Sequence, residues 1–278
     1  MKAIRAKETF RLTNSAINPI NGGPTKKQKK ATSVTAMHLY LSDEMHTFNT
    51  EEIEKESFVS LLEESKTLNQ EIDTLFKATK DIETEIADVA NQGDYDLLLV
   101  GLGKSIFEGT LLGKVIGFTT RIINPDRLID KFTGKEGLFE NSPFDERTRQ
   151  IISKTKMPLG ILIDKDLQNV NRVFIPIFSS EDSFLFDYAQ KLIFNNNSKI
   201  EIFDVNNDIP SNFVVQSAVE SLENKYPNNI HLMEEDTMKK EFLASQDIMV
   251  ISLESWKSLV DSQSDWLSGV PSVLILKP

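Results

Sequence analysis

Hydrophobic positions along the chain fall into two kinds of pattern. Short unbroken apolar runs, each introduced by an Asp or a Pro, recur at "YDLLLVGL" from Tyr95, "MPLGILID" from Met157, "QDIMVISL" from Gln246 and "VPSVLILK" from Val270. Such runs read as parallel strands covered on both faces. Between them lie stripes at helical spacing. Ile82, Ile86, Val89 and Ala90 make one, closed by Gly93; Val215, Ala218, Val219 and Leu222 make another, with Ser211 as its expected cap.

The strands repeat in order. "TFRLTNS" from Thr9 matches "RVFIPIFSS" from Arg172, and "SVTAMHLYLSDE" from Ser33 matches "SKIEIFDVNND" from Ser198; the two Asp runs and then the two Pro runs follow. Strands alternating with helices predict right-handed parallel crossovers, hence two α/β domains divided near Lys165 to Asn171. The first covers 31–164, with its opening strand at about 9–15, and the second covers 172–278. The halves differ twice. Asn14 to Lys30 lacks the apolar stripe of its counterpart "SFLFDYAQKLIF" from Ser183, so the first domain is expected to lack that helix. Gly101 to Pro158 spans 57 positions against 19 from Ser252 to Pro271, which places an insertion at about 104–141.

Charge sharpens this division. Residues 1–30 hold eight bases and one acid, whereas the whole chain of 278 residues carries a net charge of -11. The acidic body is expected to repel nucleic acid. The basic leader reads as a solvated, partly disordered tail, or alternatively as a contact for anionic lipid or RNA. No apolar run approaches the roughly 20 residues that cross a bilayer, the N-terminus has no signal-peptide core, and cysteine is absent. These features predict a soluble, unexported, cytoplasmic chain without disulfides.

The glycine-rich stretch "VGLGKSIFEGTLLGKV" from Val100 is the leading candidate for chemistry, because Gly101, Gly103, Lys104 and Ser105 follow a strand. A phosphate loop of the Walker type needs a glycine five positions before Gly103, and Leu98 stands there. The dinucleotide pattern fails at its third glycine, which is Ile106. A sharp turn at the strand's end accounts for the first two glycines. Gly109, Gly113 and Gly117 recur every four residues, which predicts a packing or dimer face, with a lipid-surface face as the alternative. His38, His46 and His231 have no partner at metal-ligand spacing, and no serine sits in a nucleophile elbow. No constellation supports an enzyme.

The repeat, "VTAMHLYLSDE", "YDLLLVGLGKSIFEGTLLGKV" and "SPFDERTRQIISK" together resemble tandem universal stress protein domains. More closely, they resemble the cytosolic C-terminal region of bacterial CPA2-type monovalent cation (sodium or potassium):proton antiporters. The resemblance covers roughly residues 31–278. It implies Rossmann-like domains with five-stranded parallel sheets, a helical insertion in the first, homodimerisation, and a regulatory role beside an antiporter membrane domain in cis, at the inner face of the membrane.

Nucleotide-binding members of that family use an aspartate after strand one, a Gly-x-x-Gly after strand four and a Gly-Ser at the next helix. Here those positions read Asn14-Ser15 and Phe178-Ser179, then Gly101-Leu102-Gly103 and Ser252-Leu253-Glu254-Ser255, then Asn141-Ser142. The resemblance therefore leaves Gly101, Gly103, Lys104, Ser105 and Ser142 as candidates for an adenine nucleotide (ATP or AMP) or a cyclic dinucleotide, against the expectation of no cofactor. Ser142 has a second reading as a helix N-cap, with Pro143 at the first helical position and Asp145 three residues on.

Overall fold

The computed structural model describes residues 10–11, 34–42, 50–68, 71–102, 144–234, 240–262 and 264–278. Gly103, Lys104, Ser105, Gly109, Gly113, Gly117, Ser142 and His46, together with most of the leader and the 104–141 insertion, lie outside these residues. The fold is α/β, built on parallel strands joined through helices. The chain divides into two compact units, one within Met1–Gly101 and Glu146–Gly160, the other within Leu102–Asp145 and Ile161–Pro278.

In the first unit, β2 (Val34–Leu41) and β3 (Ile72–Thr79) pair in parallel, Val34 opposite Ile72 through Leu41 opposite Thr79. The connecting helix α1 (Thr50–Leu68) opens with Glu51 and Glu52 where the helix dipole favours acids. It buries Phe58 and Leu61 against Ala36, Ile72 and Phe76. His38 sits in this cluster as a packed histidine, its ring stacked on Phe76 at 5.4 Å.

Helix α2 (Ile82–Gln92) forms where the sequence stripe predicts it, burying Ile86, Ala87 and Ala90. Asp81 caps it by accepting from the Thr84 N–H, and the Gly93 N–H closes it on the Val89 carbonyl. A Cβ at Gly93 would fall 2.0 Å from the Tyr95 ring, so a larger residue here would have to displace that side chain.

Two expectations in this unit are corrected. Strand β1 (Phe10–Arg11) runs antiparallel to β4 (Leu98–Leu102), with Phe10 opposite Leu99, where a parallel strand is expected. Parallel pairing needs a crossover connection with an apolar face, and Asn14 to Lys30 supplies no such face. Helix α3 (Glu146–Lys154) begins at Glu146, so Asp145 precedes it and is not its third residue. Its own first-turn glutamate and tertiary contacts set that start: Arg147 pairs with Glu83 at 3.3 Å, and Lys154 reaches the Thr84 hydroxyl at 2.6 Å. Strand β5 (Leu159–Ile163) lies beside β4, with the Leu98 N–H donating to Pro158.

The second unit contains a complete doubly wound sheet. Its strands are β6 (Arg172–Ile177), β7 (Lys199–Asp204), β8 (Ile230–Leu232), β9 (Ile248–Ser252) and β10 (Ser272–Lys277). They stand in the order β8-β7-β6-β9-β10 and are parallel throughout. Numbered from β6, this is the Rossmann-type order three-two-one-four-five.

The unbroken apolar runs explain the burial: Val173 to Ile175, Ile200, Ile202, Met249 to Ile251 and Val273 are all fully enclosed. Each such side chain contributes about 1.5–3 kcal/mol by leaving water. Helices α4 (Leu185–Asn196), α5 (Phe213–Lys225), α6 (Lys240–Ser245) and α7 (Leu253–Asp261) supply the covering layers. The α5 cap is Asn212, which accepts from the Val214 and Val215 N–H groups. Ser211, the expected cap, instead donates its hydroxyl to the Asp208 carbonyl, which holds the preceding turn.

Candidate functional site

In a doubly wound sheet the strand order reverses at one place, and ligands bind outside the carboxyl ends of the strands there. In the second unit that place lies between β6 and β9. The chain leaves β6 through Phe178 and Ser179 into a short 3-10 turn, Ser180–Phe184, and leaves β9 directly into α7.

Asp182 joins the two exits. Its carboxylate accepts the Phe178 N–H at 2.8 Å and the Ser179 N–H at 3.2 Å, and the Ser255 hydroxyl donates to its two oxygens at 3.0 and 2.9 Å. The Ser179 hydroxyl oxygen in turn accepts the Glu181 N–H, within a capping box. On the other side, Ser252 caps α7 by accepting the Ser255 N–H at 3.2 Å. Asp182 is 2% exposed and Ser255 5%, so this arrangement is interior.

A phosphate bound here would need backbone N–H donors and a surrounding that tolerates negative charge. Both are already committed. The donors at the end of β6 are held by a carboxylate, the Ser255 N–H is held by Ser252, and Glu181 and Glu254 flank the turn and the helix start. Bringing a polyphosphate beside a buried Asp182 would set like charges together in a medium of low dielectric. Asn206 adds a further closure by donating its side-chain N–H to the Phe178 carbonyl at 2.7 Å. Just inside, Trp256 is fully buried, and Trp266 packs its ring near Phe174, Phe178 and Phe203.

In the first unit, Gly101 lies exposed in β4, one residue before the strand's end. It is the one candidate of the glycine-rich stretch that falls among the described residues. A separate cavity of about 20 Å³ in this unit is lined by Met37, Leu75, Ile86, Val89 and Met157. It is apolar and large enough for about one water, far short of a nucleotide.

Among the described residues no group of three or more His, Asp or Glu side chains is placed to hold a metal ion. His231 instead pairs with Glu201 at 2.6 Å across β7 and β8. No helix among the described residues is long and apolar enough to cross a membrane.

Asp182 and Ser255 are absent from the sequence-based candidates, yet a signal for them exists. Ser179 and Asp182 stand in the S-x-x-D spacing of an acidic capping box immediately after a strand. What one-dimensional spacing could not supply is Ser255, which lies 73 positions away.

No protein-family model matches the chain, and no curated protein matches it significantly. Among solved structures, it is similar to the cytoplasmic domain of a prokaryotic cation chloride cotransporter. The identity there is 12%, with 87% of this chain and 84% of that one covered, at a TM-score of 0.47. It is also similar to a universal stress protein from Archaeoglobus fulgidus DSM 4304, at 11% identity, 87% and 85% coverage, and a TM-score of 0.46. Likenesses at this level assign neither activity nor ligand.

Proposed function

We propose that this chain is a non-catalytic, universal stress protein-like module that acts as a homodimer and regulates a monovalent cation:proton antiporter from the cytosolic side. The observation that supports the non-catalytic reading is the closed reversal point between β6 and β9, where the Asp182 carboxylate takes up the Phe178 and Ser179 N–H groups and the Ser255 hydroxyl. The antiporter part is supported by the sequence words "YDLLLVGLGKSIFEGTLLGKV" and "SPFDERTRQIISK", which follow the pattern of that family's cytosolic region. The basic leader fits a segment placed against an anionic cytoplasmic leaflet.

The test is exchange activity. In everted membrane vesicles from the source cells, sodium- or potassium-driven proton movement is measured with and without the coding sequence for this chain. A shift in the pH threshold or in the apparent cation affinity is the expected result; identical exchange curves would contradict the reading. The competing reading is a sensor for an adenine nucleotide or cyclic dinucleotide, motivated by exposed Gly101 near the end of β4. Calorimetric heat on adding such a ligand would favour it.

A further inference from the structure

The second unit has a cavity of about 520 Å³ beside the amino ends of its strands, away from the closed reversal point. Its walls are the 165–169 loop, the end of α6 with the start of β9, and the 268–272 segment that leads into β10. Lys165 stands in this wall and is tied at both ends. Its backbone N–H donates to the Ser272 hydroxyl at 2.9 Å, and its ε-amine donates to the Val270 carbonyl at 2.6 Å. The loop is further fixed by Asp164, whose carboxylate accepts the Leu167 N–H at 2.8 Å.

The charged residues that line the cavity are Lys165 itself, Asp166 and Asp247. The 268–272 segment is Ser-Gly-Val-Pro-Ser and carries no charge, α6 contributes Ala244, and buried Gln246 follows that helix. Asp247, at the start of β9, is engaged by the Asn171 and Arg172 N–H groups and by the Arg172 guanidinium. Asp166 lies on the same loop as the lysine and is exposed. Gly269, Ser268 and Ala244 are small, so the space beside the amine remains open to a compact molecule.

We propose that Lys165 is an acylation site, at which its positioned ε-amine takes the acyl group of a small activated donor, an acyl phosphate or an acyl thioester. The amine's lone pair forms a C–N bond to the carbonyl carbon. The C–O bond to phosphate, or the C–S bond to the thiol, breaks and carries its electron pair with the leaving group. The surplus amine proton passes to water, and no oxidant or reductant is consumed. The product is a neutral amide, which is less costly to bury than an ammonium.

Burial supports this reactivity by lowering the Lys165 amine from 10.5 to about 8. At pH 8 about half of such an amine is neutral, against roughly 0.3% of an ordinary lysine. The lower nucleophilicity that accompanies a lower pKa removes part of the gain and leaves roughly a tenfold advantage.

The experiment treats the full chain at pH 8 with acetyl phosphate or, separately, with acetyl-CoA, and follows the initial acetylation rate at every lysine by peptide-resolved mass spectrometry. With at least one donor, Lys165 is expected to react about tenfold faster than the median lysine, and to fall to the median in denaturing urea. The donor that gives the preference identifies the source of the acyl group. Lys165→Arg, which retains a donor to Val270, removes the fast site without altering the other rates. A Lys165 rate less than fivefold above the median with both donors overturns the proposal, as does a preference that persists in urea.

Discussion

The Ser255 hydroxyl donates to both carboxylate oxygens of Asp182, at 3.0 and 2.9 Å, and so fastens the start of α7 to the turn that follows β6. The two residues come from opposite sides of the point where the strand order reverses. Where this architecture usually leaves a crevice, the chain has built an internal hydrogen-bond network. The network is complete in that Phe178, Ser179 and Ser255 all donate to one buried acid.

A network of this kind makes its members energetically coupled. Asp182→Ala strands two partly buried N–H donors and the buried Ser255 hydroxyl, and should cost about 3 kcal/mol in urea denaturation. Ser255→Ala leaves the carboxylate with its backbone donors and should cost about 1 kcal/mol. The double variant should lose less than the sum by about 1 kcal/mol; strict additivity would show that the two side chains do not act as a unit.

Trp256 is fully buried, and its ring N–H has no hydrogen-bond partner among the described residues. An unsatisfied buried donor opposes folding, while the large apolar ring favours it. Trp256→Phe removes the donor and keeps most of the volume, so thermal denaturation should place it within about 1.5 kcal/mol of the parent. Trp256→Ala should cost about 3–5 kcal/mol through the cavity it opens. A large loss in the Phe variant would mean that the N–H has a partner that matters.

Burial holds the Lys165 amine at about 8, below its ordinary 10.5. Between these values the unfolded chain keeps a proton that the folded chain has released, so this residue makes stability rise with pH across that window. Comparing the parent with Lys165→Met from pH 7.5 to 10.5 should show the parent gaining relative to the variant as pH increases. Parallel stability curves would place the amine in ordinary solvent.

The Asp81 carboxylate is held below its ordinary value by the Thr84 hydroxyl and N–H, and secondarily by the nearby Lys154 ammonium. A depressed acid stabilises above its unfolded pKa, and the contribution disappears as pH falls through the folded one. Asp81→Ala should therefore be less stable than the parent at pH 7, with the gap closing below about pH 4. A gap that is constant down to pH 2 would assign the loss to something other than the ionised cap.

Much of this architecture was legible because fully buried parallel strands advertise themselves. Leu97 to Val100, Leu159 to Ile163, Val173 to Ile175 and Ile248 to Ile251 are unbroken apolar runs, and the two helical stripes lie in α2 and α5. The third strands were not located. Strand β3 has an irregular mixture of exposed and half-buried positions, and β8 is three residues long, so neither carries a periodic signal. The sequence pattern pointed to Ser211 as the α5 cap, whereas Asn212 holds it, because two adjacent capping-type residues differ here only in backbone geometry. The candidate site was harder still. Its glycines are conspicuous one by one, whereas the Asp182 network depends on residues brought together only by the fold.

Native mass spectrometry of the chain, alone and with Mg-ATP, AMP and a cyclic dinucleotide, separates a structural dimer from a nucleotide sensor. A dimer of unmodified mass that retains none of them is expected, the reversal point of the second unit being closed by the bonds between Asp182 and Ser255. A dimer that holds one nucleotide per chain would contradict it and make the module a ligand sensor.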